Sequence, residues 1–394
     1  MRTSRPADRK QQIGLAAQRL FHQLGYNSVG IDQLAAEVGI GGPAIYRHYR
    51  GKQDLLYQIL VVGLSRLQEL ADLVTKAAGS APSPSVLATM ARESLDRRGL
   101  AALWQREARY LTSEQQADVE QRLVTLHLTV ENALFSRRDG LSELKAGAVL
   151  SVLWSPSFHT AALPRPAFDQ LLVDIAWAVA LAPLPPPQRR AVLHDRQTRS
   201  PQSRRGSRRE LLLATASRLF AERGFASVSV SDIAEAAGTS APSVYRQFAS
   251  KTDLLTAALA RAAEALHLSL AQVLVTSETA DQAIRLIVSS YVDVMLKHMD
   301  IVQLLASELN HLPADEQEAL RRTQREYVAE WLHPLAELRP ELTPASRRVL
   351  VHAALTVLND VLRAGRRHDP EQLRQPAVSL ALAVLLPAEP PREP

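Results

Sequence analysis

An internal repeat constrains this sequence more than any other feature. Residues 9–60 align with residues 208–259 without a gap, and 18 of the 52 aligned positions are identical. The identical positions include a Tyr-Arg pair, Tyr46 and Arg47 in the first copy, and the lysine that follows, Lys52. Because similar segments fold alike, the chain must contain two units of one fold.

The repeat divides the chain into two halves of similar plan. At 394 residues the chain is too long for one ordinary core, and an apolar run leading into prolines closes each half, at 170–187 and 375–391. We predict a first head at 1–60, a first body at 61–181, a linker rich in proline and arginine at 182–207, a second head at 208–260 and a second body at 261–388.

Helical periodicity runs through both halves. Ile13, Ala17, Leu20 and Leu24, for example, recur at three- and four-residue steps and would share one face of a helix. No segment alternates convincingly between apolar and polar residues as a strand would. The sequence therefore predicts an all-α fold.

Composition narrows the class of protein. The chain has no cysteine, which excludes disulfides, thiolate metal sites and cysteine catalysis. It begins with a charged segment, and its longest apolar stretch, PAVSLALAVLL, is too short to span a bilayer. It contains no glycine-rich phosphate loop, HExxH or GxSxG motif, and its 11 histidines lack metal-binding spacing. We expect a cytoplasmic, nucleoid-associated protein that is not an enzyme and has no cofactor, metal or membrane partner.

Basic charge is concentrated in two places. Residues 1–60 carry eight basic and four acidic side chains, and residues 189–260 carry twelve and six, although the net charge of the whole chain is only +5. Two basic segments in an otherwise acidic chain favour a polyanionic partner at two sites. Charge alone does not separate this interpretation from an ordinary solvated surface.

The second copy of the repeat predicts two short helices across a tight turn. Ser229 suits the N-cap of the first helix, and Gly238 suits a left-handed residue at its end. Ser240 suits the next N-cap, with Pro242 in the first turn. In the second helix Val244 and Phe248 would be buried, while these residues would project: Ser243, Tyr245, Arg246 and Gln247. Such a pair is a helix-turn-helix, whose second helix fits the major groove of double-stranded DNA.

Both copies resemble the N-terminal DNA-binding domain of the TetR (tetracycline-repressor-like) family. The resemblance lies in LAAEVGIGGPAIYRHYRGKQDLL from residue 34 and in IAEAAGTSAPSVYRQFASKTDLL from residue 233. It covers about 50 residues of each half, and the bodies resemble the family only in being helical and of suitable length. It implies a tandem transcriptional regulator, usually a repressor, whose third helix reads DNA and whose fourth helix leads to a ligand-binding domain.

The resemblance also implies particular DNA contacts. The phosphate-contacting positions of the family fall on Tyr46, His48, Lys52, Tyr245, Gln247 and Lys251. Bases would be read from the exposed face by Pro43, Ala44, Arg47, Ser240, Ser243 and Arg246, although an arginine there could equally meet a phosphate. Ser229, at the start of the preceding helix, belongs to the same surface. Basic arms could enter the minor groove or follow phosphates through Arg204, Arg205, Arg208 and Arg209, the alternative being a solvated tether.

The first copy departs from the pattern. Gly30 and Gly41 stand where the second copy has serine caps, and Gly42 replaces a further residue with a side chain. A glycine at an N-cap costs only a few tenths of a kcal/mol relative to serine, so we expect the first head to fold but to make fewer DNA contacts.

Two heads on one chain favour a single-chain pseudo-dimer on an asymmetric operator. Apolar helices at 146–153, 167–181, 349–362 and 377–386 suit a four-helix interface between the halves, the alternative being burial of each pair within its own half. Family likeness further implies a small apolar or lipid-like effector. Its candidate side chains are Trp104, Trp154, Phe158, Tyr291 and Trp331, with Tyr110, His159, His298 and His333 as weaker ones, although aromatic residues commonly serve only as core. An activator, or a protein that coats DNA without an effector, stays open as an alternative.

Overall fold

The computed structural model describes residues 6–78, 85–136, 138–185, 208–298, 300, 304, 308–364 and 370–386. All regular structure in these ranges is helical, which confirms the all-α prediction. Most of the predicted linker, including Arg204 and Arg205, lies outside the described residues.

The first half contains nine helices within the described ranges. Four belong to the first head and its connection to the body: α1 (Pro6–Leu24), α2 (Ile31–Glu37), α3 (Gly42–Ile45) and α4 (Lys52–Ala78). The first body adds α5 (Ser85–Asp96), α6 (Leu100–Glu107), α7 (Ser113–Leu134), α8 (Gly140–Trp154) and α9 (Ala167–Leu181). Short 3-10 turns follow α6 and α8, at Ala108–Tyr110 and Ser155–Ser157.

The second half repeats the plan of the first. Its head and long connecting helix are α10 (Arg208–Arg223), α11 (Val230–Ala236), α12 (Ala241–Tyr245) and α13 (Lys251–Thr276). The described part of the second body comprises α14 (Ala280–Lys297), α15 (Ala314–Leu338), α16 (Pro344–Ala364) and α17 (Pro370–Leu385). The order of α10–α13 reproduces that of α1–α4, as the sequence repeat predicts.

The first head is built on the apolar face of α1. Ile13, Ala17 and Phe21 are almost completely buried, and Leu34 of α2 and Ile45 of α3 join them in the core. The helix ends at Gly25, whose φ of 84° is left-handed and is available to glycine without a Cβ clash. Leu24, at the end of the same face of α1, lies outside this core and is 45% exposed.

The second head has an equivalent core that also contains residues of the second body. Leu212, Phe220, Ile233, Val244 and Phe248 of the head belong to one buried cluster. Leu304, Leu312 and Leu320 of the body belong to the same cluster. The head therefore does not pack as an isolated three-helix domain, and its position depends on the body beneath it.

The chain divides into two compact units that do not follow the sequence repeat. One unit comprises Met1–Pro183 with Arg339–Val361 and Ser379–Pro394, and the other comprises Leu184–Leu338 with Leu362–Val378. The first unit thus contains α8 and α9 together with most of α16 and the end of α17. All four segments bury small and branched apolar side chains.

Polar contacts join these segments inside the first unit. Asp360 of α16 accepts hydrogen bonds from Ser151 Oγ of α8 at 2.8 Å and from Gln105 Nε2 of α6 at 3.2 Å. Because both donors contact one carboxylate at the edge of an apolar helix face, they fix the register of α16 against the first body.

Two buried histidines stack within the same unit. The rings of His159 and His352 lie with their centroids 4.6 Å apart. Arg98 donates hydrogen bonds to the carbonyl oxygens of His159 and Ala161. Burial lowers the pKa of both histidines, with Arg348 and Arg98 adding to the effect at His352, whose pKa falls to about 4. Both rings are therefore neutral at pH 7.

We expect acid to destabilise this stack. A histidine whose folded pKa lies below its unfolded value near 6.5 contributes stability above that value and loses it as the pH falls toward 4. The stability of His352→Gln should therefore fall less than that of the parent chain between pH 6.5 and 4, by up to about 3 kcal/mol. Thermal unfolding at stepped pH measures this, with exposed His333→Gln as the control; parallel pH profiles for the parent and His352→Gln would contradict it.

One described helix is long and apolar enough to cross a membrane by length and composition alone. This is Lys251–Thr276, α13. Its apolar residues Leu254, Leu255, Ala258 and Leu259 lie in the buried core of the second head. The core helix of a soluble protein meets the same criterion, and we interpret α13 in that way.

Candidate nucleic-acid interface

Local hydrogen bonds fix the helix pair of the second head. Ser229 Oγ accepts the N–H of Asp232 at 3.1 Å, and Asp232 Oδ2 accepts the N–H of Ser229 at 2.7 Å, which forms a capping box at the start of α11. Gly238 has a φ of 65° in the turn that follows, and Pro242 stands in the first turn of α12. The predicted cap, turn and proline are confirmed.

The first head makes the same turn without these caps. Gly30 and Gly41 occupy the N-cap positions of α2 and α3, and neither has a side chain to accept a hydrogen bond. Gly39 turns the chain with a φ of 67°. A Cβ on Gly42 would lie 2.5 Å from Oδ1 of Asp32, so a larger residue here would require the Asp32 side chain to move.

A tyrosine projects from the same place on both heads. Tyr46 is 59% exposed and Tyr245 is 55% exposed, although both are large and largely apolar. Arg47 and Arg246 follow them and are also exposed. The described structure thus gives each head a ring with a hydroxyl beside a guanidinium, and both groups can donate to phosphate or base oxygens.

The remaining predicted residues of the recognition helices differ in exposure. Pro43, Pro242 and Gln247 are exposed, and Ala44 and His48 are half-buried. Ser240 is exposed and stands at the N-cap of α12, but the prediction that its hydroxyl caps the helix is wrong, because that hydroxyl makes no cap hydrogen bond.

The prediction that Ser243 projects from α12 is also wrong. Ser243 is only 3% exposed, and its Oγ lies 3.3 Å from Nη1 of Arg208 at the start of α10. The orientation of α12 turns Ser243 toward α10 instead of solvent. Its hydroxyl is therefore placed to hold Arg208 and not to read a base directly.

The basic arm of the second head packs on the recognition helix. The guanidinium of Arg209 lies over the ring of Phe248, 4.2 Å from its centroid, and Nη1 donates to the carbonyl oxygen of Gln247 at 3.0 Å. In the first head, Lys10 occupies the place of Arg209, 5.4 Å from the centroid of Tyr49. Arg208 and Arg209 therefore add fixed positive charge beside α12.

The two predicted phosphate-contacting lysines lie under a loop. Lys251 Nζ donates to the carbonyl oxygens of Phe225 and Val228, at 2.8 and 2.9 Å, and lies 4.2 Å from the centroid of the Phe225 ring. Lys52 Nζ lies 4.2 Å from the centroid of Tyr26. Burial lowers the pKa of both lysines. Each lysine fixes the loop before the helix-turn-helix, and contact with a phosphate stays a prediction.

A buried glutamate anchors the same loop in each half, and the sequence analysis missed it. Glu107 Oε1 accepts the N–H of Tyr26 at 3.4 Å, and Glu308 Oε2 accepts the N–H of Phe225 at 3.4 Å. These glutamates are only 5% and 2% exposed. Each is the single acidic residue in a stretch that begins and ends with leucine, LWQREARYL and LLASELNHL, and this is the signal that could have found them. Their carboxylates link each head to its own body.

The first head has additional links to its body. His22 Nε2 donates to the carbonyl oxygen of Ser157 at 2.8 Å, and Gln18 Nε2 donates to that of Arg97 at 3.1 Å. Burial lowers the pKa of His22. In the second head the aligned residues are Ser217 and Ala221, and the Ser217 hydroxyl donates to Leu213 of its own helix.

The loop of the first head also packs on the body through aromatic rings. Tyr26 stacks on Tyr110 with centroids 4.6 Å apart, and Asn27 Nδ2 donates to the Tyr110 hydroxyl at 2.6 Å. Tyr110, a weaker candidate for effector binding, therefore belongs to the junction between head and body.

The predicted effector residues fall into different environments. Trp104 and Trp154 line one pocket of the first body. Tyr291 and Trp331 are buried against Tyr327 in an aromatic cluster of the second body, so they are placed as core. Phe158 is half-buried after α8 and His159 is in the histidine stack, while His298 is half-buried and His333 is exposed.

Both heads contain a helix-turn-helix motif, which places the chain in the class of helix-turn-helix DNA-binding proteins. Residues 14–59 and 212–258 each match the family model TetR_N, described as bacterial regulatory proteins of the tetR family. The chain therefore carries two copies of this family's DNA-binding domain in tandem, as the sequence motifs indicate.

Individual relatives are similar over short segments. The chain is 36% identical over 89 residues to the HTH-type transcriptional activator FasR of Mycolicibacterium smegmatis, which covers 23% of this chain and 41% of that protein. It is 34% identical over 53 residues to an HTH-type transcriptional regulator of Staphylococcus aureus, and this segment covers 14% of this chain and 29% of that protein. The chain thus spans less than half the length of these curated relatives.

Solved structures with similar folds include two regulators. One is a TetR-family transcriptional regulator from Bordetella parapertussis, with 26% identity and a TM-score of 0.39, covering 44% of this chain and 93% of the other. Another is the ketosteroid transcriptional regulator KstR2 of Mycobacterium tuberculosis, with 22% identity and a TM-score of 0.41. The match covers 45% of this chain and 94% of the other.

The exposed tyrosine hydroxyls should serve DNA binding and not folding. Tyr46→Phe and Tyr245→Phe should each weaken binding to a selected DNA site by roughly 3- to 10-fold, the value of one hydrogen bond, with little change in thermal stability. Fluorescence anisotropy with labelled duplex measures the first quantity and calorimetry the second.

A matched control for these variants is Tyr49→Phe. The Tyr49 hydroxyl is buried and donates to the carbonyl oxygen of Lys10 at 2.9 Å, so this change should lower stability instead. DNA affinity unchanged by both Tyr46→Phe and Tyr245→Phe would refute the assignment of these hydroxyls to the interface.

Removal of an anchoring glutamate should loosen its own head. Glu107→Ala and Glu308→Ala each leave a loop N–H without its acceptor, which costs about 1–3 kcal/mol. Amide hydrogen exchange at Tyr26 and Phe225, respectively, should become faster. The glutamine variants keep an acceptor and should change exchange less, and Glu222→Ala, on the exposed side of α10, is the control. Equal exchange in the alanine variants and the parent chain would contradict the anchoring role.

Proposed function

We propose that this chain represses transcription by binding double-stranded DNA with both heads of a single molecule. The observation that carries the proposal is the pair of similar but unequal reading surfaces. Each presents an exposed tyrosine and arginine, but one adds His48 and the other Gln247. The family match supports DNA as the partner and the cytoplasm as the location.

The two-headed arrangement has support in the first compact unit. Its α8, α9, α16 and α17 come from both sequence halves, and Asp360 contacts Ser151 and Gln105 across that division. In a conventional dimer, such a bundle joins two chains. Here the bundle would join two halves of one chain, so that no second chain is needed to read two half-sites. The proposed domain boundaries follow from the repeat.

The proposal divides the DNA contacts between positioning and reading. Tyr46, Tyr245, Lys52 and Lys251 would contact phosphates, with His48 and Gln247 beside them. Bases would be read by the exposed part of each recognition surface, which comprises Pro43, Ala44, Arg47, Ser240 and Arg246. Ser243 would act through Arg208, which with Arg209 and the arm residues Arg204 and Arg205 adds charge against the backbone.

An effector would bind in the first body and change the affinity for DNA. The pocket that includes Trp104 and Trp154 supports this part of the proposal, because its walls are chiefly apolar and include α4, the helix that leads to the first head. An activator is a second candidate, favoured by the similarity to FasR, whose name states activation.

Selection of bound sequences from random DNA tests the proposal. Because the two reading surfaces differ, the selected site should contain two different half-sites whose centres lie about one helical turn apart. One chain per duplex is expected from the mass of the complex. Tyr46→Ala should relax the selection at one half-site and Tyr245→Ala at the other.

Two outcomes would overturn the proposal. A perfect palindrome bound by two chains through their second heads would exclude the single-chain arrangement. Equal affinity for random and selected DNA, falling steeply with salt in both cases, would instead indicate a protein that coats DNA without sequence preference.

A further inference from the structure

A pocket in the first body combines an apolar wall with a small polar end. It lies between α4, α5, α6, α7 and α8 and is partly open to solvent. Its apolar wall includes Leu60, Leu64, Leu67, Leu123 and the two tryptophans. Its polar end is formed by Glu93, Ser94 and Arg97 of α5 and the turn after it.

Hydrogen-bonding capacity is left over at the polar end. Ser94 is 9% exposed, and its buried Oγ has no hydrogen-bond partner among the described residues. Arg97 uses Nε to donate to Glu93 Oε1 at 2.6 Å, and its two Nη atoms make no hydrogen bond within the described part of the chain. An unpaired buried hydroxyl is costly, so these atoms are placed to bind a ligand that brings an acceptor.

The charge of the polar end selects the kind of acceptor. The Glu93 and Arg97 side chains are only 14% and 19% exposed, and their charges cancel each other. A carboxylate placed against Arg97 would bring a second negative charge close to Glu93 in a poorly solvated site, which is unfavourable. An ammonium group would likewise bring a second positive charge close to Arg97, which is also unfavourable. A neutral oxygen avoids both penalties.

We propose that this pocket binds an apolar molecule that ends in a neutral hydroxyl or carbonyl oxygen, with the oxygen at Ser94 Oγ and the Arg97 guanidinium. The proposal rests on the proposed function, since it names the chemical class of the effector. The two tryptophans and the leucines contact the hydrocarbon part.

The same end of the pocket holds the first head. The carbonyl oxygen of Arg97 accepts from Gln18, and that of Ser157, another residue of the pocket wall, accepts from His22. The Ser157 hydroxyl in turn accepts the N–H of Gly99 at 3.2 Å. An oxygen bound at the Arg97 guanidinium therefore contacts the same residue whose backbone carbonyl accepts a hydrogen bond from α1. Ligand binding would change the position of the first head through these contacts.

Ligand binding to the full chain is measured by tryptophan fluorescence. The probes share a ten-carbon chain and differ at one end: 1-decanol, 2-decanone, decanoate and decylammonium. We expect saturable binding of the alcohol and the ketone, and binding at least roughly tenfold weaker for the two ions, as for a buried uncompensated charge. Decanoate binding as tight as that of 1-decanol would overturn the proposal.

Variants test the polar end directly. Ser94→Ala and Arg97→Met should each weaken 1-decanol binding by roughly 3- to 10-fold, the loss of one hydrogen bond. Glu93→Gln removes the negative charge and should strengthen decanoate binding specifically. Arg66→Gln, an exposed change on α4, is the control. Because Ser94→Ala leaves the Glu93–Arg97 pair in place, unchanged 1-decanol binding by that variant would count against the proposal even if Arg97→Met fails to fold.

A DNA-binding measurement separates this inference from the proposed function. With the selected duplex, saturating 1-decanol should lower the affinity of the parent chain, and this effect should be smaller in Gln18→Ala with His22→Ala. Sequence-specific DNA binding without any binding of the four probes would refute the ligand class and leave the two-headed regulator intact. Loss of sequence preference with normal 1-decanol binding would refute the regulator and leave the ligand class intact.

Discussion

The reading surface of each head depends on helices too short to be stable alone. The third helix of the first head has four residues and its counterpart in the second has five, whereas isolated helices in water need on the order of 12–15 residues to be even marginally stable. Ile45 and Val244 fix them by complete burial against the neighbouring helices. The orientation of the exposed Tyr46 and Tyr245 is thus set by the packing of Ile45 and Val244 in the core. Any contact that moves the first helix of a head also moves its reading surface, which gives the glutamate anchors their importance.

The two heads reach the same geometry by different balances of local and tertiary contacts. The second head is capped by its own side chains, at Ser229 and again at Ser250 before its long connecting helix. The first has glycine at both helix starts of its reading motif, and it is tied to its body through Gln18 and His22. The helix starts of the second head are therefore fixed in part by local caps, whereas those of the first depend on packing and on contacts with its body.

The sequence predicts the features of this fold that depend on local periodicity and turn chemistry. The repeat, the left-handed Gly238 and the buried pair Val244 and Phe248 all follow from spacing within a few residues. The sequence does not predict the rotation of the recognition helix that buries Ser243, because that rotation depends on packing against a helix 35 residues earlier in the chain. The sequence does not single out Glu107 and Glu308, because the repeat is too weak in the bodies to align them. Their shared role is shown by the two hydrogen bonds that they accept from the loops.

If both heads bind one duplex at the same time, as proposed, a change in one head is sufficient to change the DNA affinity of the whole molecule. Two linked modules on one duplex bind with an affinity that exceeds either alone by roughly 10²–10⁴-fold, and this gain vanishes when one module can no longer reach its half-site. A pocket that acts only through the backbone of Arg97 and Ser157 would therefore weaken DNA binding strongly while leaving the second head unchanged. In a symmetric dimer both subunits carry the same sensor. A fused chain is free to keep the sensor in one half and to let the aromatic residues of the other, such as Trp331, serve packing alone.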